Sequence, residues 1–226
     1  MFSIVKSMSL QGLEGFLVDV QVDVSAGMPN LEIVGLPDAT VKESKERVRT
    51  AIKNSGFEFQ SRKIIINLAP ADTRKEGSFF DLPIAIGILL DFQDIKWQNL
   101  NDTVFIGELS LNGNINKING ILPMCIEAKK LGIKRAILPE ENAKEASIVT
   151  GLEIIGAKNL KDVVDYLNNN IELQPVSSDI KEIFRKKHKY SLDFSEVKGQ
   201  ENIKRALEVA AARWTQYSDG WNAGVR

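Results

Sequence analysis

Residues 103–145, TVFIGELSLNGNINKINGILPMCIEAKKLGIKRAILPEENAKE, constrain the fold more than any other stretch. A β-branched and aromatic run, Thr103–Leu109, meets the turn pair Asn112-Gly113, and a second short strand leads into the loop at Asn119-Gly120. Asn and Gly both tolerate positive φ, so such pairs mark tight turns between strands. An apolar-periodic helix follows over Leu122–Leu131 and stops at Gly132; then come a strand, Arg135–Leu138, and a helix, Glu140–Val149. Only a sheet with helices laid on it buries all of these apolar faces.

The flanking sequence fits that architecture. Alternating apolar and polar residues over 2–9, 16–24 and 30–35 predict strands, with Gly12, Gly15, Gly27 and Pro29 at the turns. Asp38 caps a helix running to Asn54, in which Val41, Val48, Ala51 and Ile52 form an apolar stripe. Lys63–Leu68 is a strand, and Phe80–Leu90 is a nearly all-apolar helix that must be covered on most sides. Leu152–Ile155 and Leu160–Leu167 add a strand and a helix. The expected class is α+β, with one domain over 1–170 and a linker over 171–192. That linker carries a short helix near Ile180–Lys187 and the basic cluster Arg185, Lys186, Lys187, His188 and Lys189.

Composition removes several functions. With 226 residues and a net charge of -1, bulk charge cannot attract a polyanion, so any nucleic-acid contact must come from a local patch. The longest apolar run, near Ile84–Leu90, is too short to span a bilayer, and MFSIVKSMSL has no signal-peptide core. No membrane partner and a cytoplasmic location are expected. The single cysteine, Cys125, excludes an internal disulfide and belongs on the buried side of its helix. One Cys and one His exclude a conventional zinc site, so no metal ligands are expected.

Two surfaces are candidates for binding. The loop 71–81 carries Asp72, Arg74, Lys75, Glu76 and Asp81 ahead of an apolar helix. Backbone N–H groups near Gly77–Phe80 at a helix start favour anions. Asp72, Arg74, Lys75, Glu76, Gly77 and Asp81 are thus a candidate anion or subunit contact. The competing reading is a capped helix start with Asp72 and Asp81 holding the loop. In the helix of residues 40–54, Lys42, Lys45, Arg49 and Lys53 share one side at about 100° per residue, offset only by Glu43 and Glu46. They form a candidate DNA contact, or an ordinary solvated face. No G-x-G-x-x-G spacing occurs, so the glycines are turn formers, with no cofactor site expected.

Residues 103–145 resemble the segment of Lon-type proteolytic domains that carries the catalytic lysine, through Gly107-Glu108, Asn112-Gly113, Asn119-Gly120, Leu131-Gly132 and Pro139-Glu140-Glu141-Asn142. The lysine of that family follows a Gly-Gly-Leu pattern; here Asn119-Gly120-Ile121 is followed by Leu122. The serine of the family's Lys-Asp-Gly-Pro-Ser-Ala-Gly motif aligns with Phe79 in Lys75-Glu76-Gly77-Ser78-Phe79-Phe80-Asp81. A Ser–Lys mechanism needs a hydroxyl and an amine within hydrogen-bond reach. Neither is at its position, so no catalytic residues are expected.

Residues 193–212, DFSEVKGQENIKRALEVAAA, resemble the start of an AAA+ ATPase module, where Gly199-Gln200 leads into an amphipathic helix. The strand and P-loop that should follow are replaced by RWTQYSDGWNAGVR, with Trp214 and Trp221. Shifted by one base, permitted codons for this stretch read GGHNILMVGTPGSG, a strand and a P-loop stopping before its Lys. Residues 213–226 are therefore expected to be an out-of-frame, non-native tail of a longer gene.

Together these features resemble the magnesium-chelatase-like AAA+ ATPases of the YifB or ComM family; Asn30–Asp81 is the most specific piece. The resemblance implies the left-handed βαβ fold shared by Lon proteolytic domains and domain two of small-subunit ribosomal protein five. It implies a non-catalytic N-terminal domain of a DNA-processing, branch-migration ATPase. ATP and magnesium belong to the full-length parent and not to this fragment. The implied partners are other copies in a ring, a hexamer, and single-stranded or branched DNA. The alternatives are a Lon-like peptidase with a non-standard nucleophile such as Ser78, and a magnesium chelatase ATPase subunit acting on a porphyrin.

Overall fold

The computed structural model describes residues 2–92, 94–96, 100–178 and 197–213. The expected helix near Ile180–Lys187, the basic cluster 185–189 and the tail from Trp214 onward lie outside them. The chain divides into two compact units, Met1–Ile183 and Phe184–Arg226.

In the first unit the order is β1 (Phe2–Gln11), β2 (Glu14–Ser25), β3 (Asn30–Val34), α1 (Ala39–Asn54), β4 (Lys63–Ala69), α2 (Asp81–Asp91), β5 (Thr103–Phe105), β6 (Glu108–Leu109), β7 (Ile115–Asn116), α3 (Ile121–Lys130), β8 (Arg135–Pro139), α4 (Glu140–Ala146), β9 (Glu153–Ala157) and α5 (Leu160–Leu167). A seven-stranded sheet runs β3-β4-β2-β1-β5-β8-β9, and β6-β7 form a separate hairpin. β1–β2 and β2–β4 pair antiparallel; the four remaining pairings are parallel. This is a mixed α/β sheet, mostly parallel.

Strand alternation divides the interior into two cores. Val18, Val20, Val22, Ile64, Ile66, Leu68, Phe105, Ile137 and Ile155 project to one face, against α1, α2 and α5. Met8, Val104, Ala136, Leu138 and Ile154 project to the other, against α3 and α4. Parallel strands covered on both faces are buried throughout and mostly apolar, as Thr103–Phe105 is. Cys125 lies in the second core, and burial pushes its thiol up to about 12.

The helix starts follow local chemistry. The Asp38 carboxylate accepts from Val41 N–H at 2.7 Å, the expected cap of α1. Asn159 caps α5 in the same way, accepting from Asp162 N–H at 2.8 Å. The run expected as one strand over Thr103–Leu109 is broken at Gly107. Gly107 N–H donates to Phe79 C=O at 2.9 Å, and its own C=O accepts from Leu82 N–H at 2.9 Å. A Cβ at Gly107 would stand 2.7 Å from Ile115 Cγ2, so this crossing requires glycine.

Residues 171–178 stay with the domain: Val176 N–H donates to Ile154 C=O at 2.9 Å, on the outer edge of β9, and Leu173 packs on the first core. In the second unit α6 (Glu201–Arg213) begins after Gln200, whose C=O accepts from Ile203 and Lys204, each at 3.0 Å.

Asp91, at the end of α2, gives a pH-dependent term. Burial lifts its carboxyl from 3.8 to about 6, a Val24 backbone hydrogen bond opposes the shift and the Asp23 charge adds to it. Among the described residues Asp91 Oδ2 has no hydrogen-bond partner. A carboxyl raised in the folded state keeps its proton where the unfolded chain has lost it, so its contribution falls as pH rises through the window from 3.8 to about 6. Asp91→Asn should therefore raise the melting temperature at about pH 7.5 and leave it nearly unchanged at about pH 4, measured by circular dichroism across that range.

Candidate functional site

The loop between β4 and α2, the start of α2 and the β6-β7 hairpin meet around one buried carboxylate. Asp81 is 0% exposed. Arg47, from the middle of α1, grips it with two parallel bonds: Nε to Oδ2 at 2.8 Å and an Nη to Oδ1 at 3.1 Å. The same guanidinium reaches Ser44 Oγ at 3.1 Å and Thr40 C=O at 3.2 Å. Leu109 N–H of β6 completes the set at 3.1 Å from Oδ2. Burial pushes the Asp81 carboxyl up, while Arg47, Ser44 and the Leu109 N–H pull against that shift. Arg47 is raised by its bond to Asp81.

This arrangement closes the start of α2. Asp81 N–H is taken by Ser78 C=O at 3.2 Å, and Leu82 N–H by Gly107 C=O. The first two N–H groups of α2 are thus turned to protein acceptors. Lys75 is also buried, at 0% exposure; its ammonium donates to Pro70 C=O and to Thr73 C=O, the latter at 2.7 Å. Burial lowers its pKa, with the Asp72 charge opposing. Its backbone is held too, since Lys75 N–H donates to Leu36 C=O and Lys75 C=O accepts from Asp38 N–H. Just before it, Gly35 lets the chain pass close to β4: with φ at 98°, a Cβ there would stand 2.3 Å from Leu68 O.

Lys75 and Asp81 therefore do not present charge to an outside partner; both are satisfied within the loop they organise. Gly77 is half-buried at a φ of 95°. Asp72, Arg74 and Glu76 remain exposed, with Arg74 and Glu76 paired at 3.2 Å. Sequence reading missed Arg47. Its position was a usable signal: it lies off the side shared by Lys42, Lys45, Arg49 and Lys53.

At the two dyad positions the chain places carbon. Phe79 and Leu122 are partly buried, and both pack on the second core. The Phe79 ring tilts at 45° against Phe80, with centroids 4.9 Å apart. Beside Phe79, Ser78 Oγ donates to Glu108 Oε2, and Asn116 Nδ2 donates to Glu108 Oε1 at 2.9 Å. Burial raises the Glu108 carboxyl, but these two hydrogen bonds and the Arg47 charge outweigh it and hold the carboxyl below its usual range. A carboxylate stabilised in this way is a weak base and a good anchor.

The second candidate surface is intact. Lys42, Lys45, Arg49 and Lys53 are all exposed on α1, and among the described residues none of the four has an ion-pair partner. Among the described residues no group of three or more His, Cys, Asp or Glu could hold a metal ion, and no helix is long and apolar enough to cross a membrane.

Fold and site define a mixed α/β domain organised by a buried Arg–carboxylate pair. Residues 20–142 match the family described as "Subunit ChlI of Mg-chelatase", and the chain belongs to that Mg-chelatase-like family. It is 39% identical to the competence protein ComM of Haemophilus influenzae over 93% of this chain and 41% of that protein. It is 38% identical to the uncharacterized protein YifB of Escherichia coli over 93% and 40%. Lon protease 2 of Bacillus subtilis is 28% identical over 74% of this chain and 33% of that protein. The chain spans about two fifths of the length of the ComM and YifB relatives.

Removing one partner of the central pair leaves a buried charge alone. Arg47→Met should lower unfolding stability by about 3–5 kcal/mol in urea titration, and Arg47→Met with Asp81→Leu should recover most of that loss.

Proposed function

We propose that this chain is the non-catalytic N-terminal portion of a Mg-chelatase-like AAA+ ATPase of the competence type, acting in ring assembly or DNA processing. The observation that carries the reading is the 39% identity to competence protein ComM over nearly the whole chain. Phe79 and Leu122 at the dyad positions support a scaffolding role for a domain that is also similar to Lon protease 2. On this reading residues 1–170 take the left-handed βαβ fold of Lon proteolytic domains, 171–192 link, 193–212 open the ATPase module and 213–226 are a non-native tail. ATP and magnesium are handled by the parent, which works in the cytoplasm as a ring, a hexamer.

The exposed face of α1 is the DNA-facing surface in this proposal. Lys42, Lys45, Arg49 and Lys53 would track phosphates without reading sequence. Asp72, Arg74 and Glu76 are left as the loop's subunit contact, because Lys75 and Asp81 are buried.

Replacing the four α1 residues with Ala should weaken binding of single-stranded or branched DNA and reduce the log–log salt slope by up to about 3, since each single-strand phosphate contact contributes about 0.7. Absence of low-salt binding by the chain, with full DNA activity in a four-substitution parent, would leave ring assembly alone standing. The chain should also show no ATP hydrolysis and no cleavage of casein; magnesium-dependent turnover surviving further purification, or casein cleavage, overturns the non-catalytic assignment.

A further inference from the structure

Beside the basic face of α1 lies a small cleft that the sequence did not reveal. The start of β3, Arg49 of α1 and residues 59–62 ahead of β4 enclose about 70 Å³. Pockets for whole small molecules run to about 300–1,000 Å³. This cleft has room for one phosphate-sized group and not for a nucleotide.

Two arginines line it. Arg49 stands over the Phe59 ring, its guanidinium carbon 5.7 Å from the centroid. Phe59 is braced edge-on by Phe92, with centroids 5.8 Å apart at 83°. Stacking fixes the plane of a guanidinium and leaves its N–H edge free for oxygen acceptors. Arg62 lines the same cleft, on a backbone tied at both ends: its N–H donates to Gln60 C=O at 3.0 Å, and its C=O accepts from Asn30 N–H at 3.3 Å. Among the described residues neither Arg49 nor Arg62 has a carboxylate within ion-pair distance, whereas Arg47, Arg74, Arg135 and Arg205 all do. Ser61 and Gln60 also line the cleft and offer neutral donor groups.

We propose that this cleft is a phosphate-binding site, gripped by Arg49 and Arg62. Where the chain contacts DNA, the occupant is a backbone phosphodiester of a single strand continuing from the basic face of α1; this part rests on the DNA reading above. Two arginines without carboxylate partners among the described residues, one over an aromatic ring, are the chemistry that phosphate oxygens accept.

The experiment uses the full chain and two probes: inorganic phosphate, followed by amide NMR shifts at residues 60–62, and a fluorescent oligo-dT, followed by anisotropy against salt. Both probes should shift the same amides. Arg62→Gln should abolish the phosphate-induced shifts, weaken oligo-dT about tenfold and lower the salt slope by about 0.7, with an unchanged melting temperature. Arg62→Lys should restore part of the affinity, since a point charge replaces the fork. Phosphate shifts lost in Arg62→Gln, with no oligo-dT binding at all, would uphold the site for free phosphate while the DNA reading fails. Oligo-dT binding that depends on Lys42 and Lys45 but not on Arg62, with no phosphate-induced shifts, would overturn the cleft and leave the DNA reading intact.

Discussion

The bidentate bond between Arg47 and Asp81 is the contact on which the rest of this domain depends. It ties the middle of α1 to the first residue of α2, and through Leu109 N–H it reaches the β6-β7 hairpin. Elements distant in sequence thus share one carboxylate. Such a buried pair need not add net stability, because desolvating both ions offsets much of their attraction. Its effect is on registry. A carboxylate at zero exposure tolerates only the arrangement that supplies its donors, so α1, α2 and the hairpin can meet in only one way.

Beside that pair, the two positions that the resemblance aligns with the Lon serine and lysine carry the apolar side chains Phe79 and Leu122. Phe79 and Leu122 lie on the second core, where burying an aromatic ring and a leucine favours packing. The polar groups left nearby are tied to each other: Ser78 to Glu108, Glu108 to Asn116, and Asn116 to Ser110 at 2.7 Å. With its hydroxyl committed to a carboxylate of lowered pKa, Ser78 has no strong base to activate it. Exposed charge lies on the outer side of α1, at the cleft beside it, and at Asp72, Arg74 and Glu76 of the loop before α2.

Much of the fold was legible because it follows from short-range rules. Asp38 marked the start of α1, Gly132 the end of α3, and alternation of side chains placed the long strands. The failures share one cause. Lys75 and Arg47 are charged residues in charged stretches, and local counting assigns both to solvent; for Asp81 it leaves open whether the carboxylate holds the loop or meets a partner. Which of them is withdrawn depends on an acceptor or donor supplied from far along the chain: Asp81 is 34 residues from Arg47 and 28 from Leu109. The strand expected over Thr103–Leu109 failed for a related reason. Periodicity continues through Gly107, but the backbone there is engaged by Phe79 and Leu82 across the domain.

By itself the sequence determined most of the elements, the apolar faces and the family, since each of these is written in residue type and spacing. Tertiary structure alone decided which charges are buried, that the start of α2 is closed, and that Arg49 and Arg62 line one cleft. The physical reason is range. Capping, periodicity and turn chemistry act over a few residues and leave a local trace. Desolvation and hydrogen-bond completion depend on whatever the fold brings alongside, and that is set only when the sheet and its two helical layers have come together.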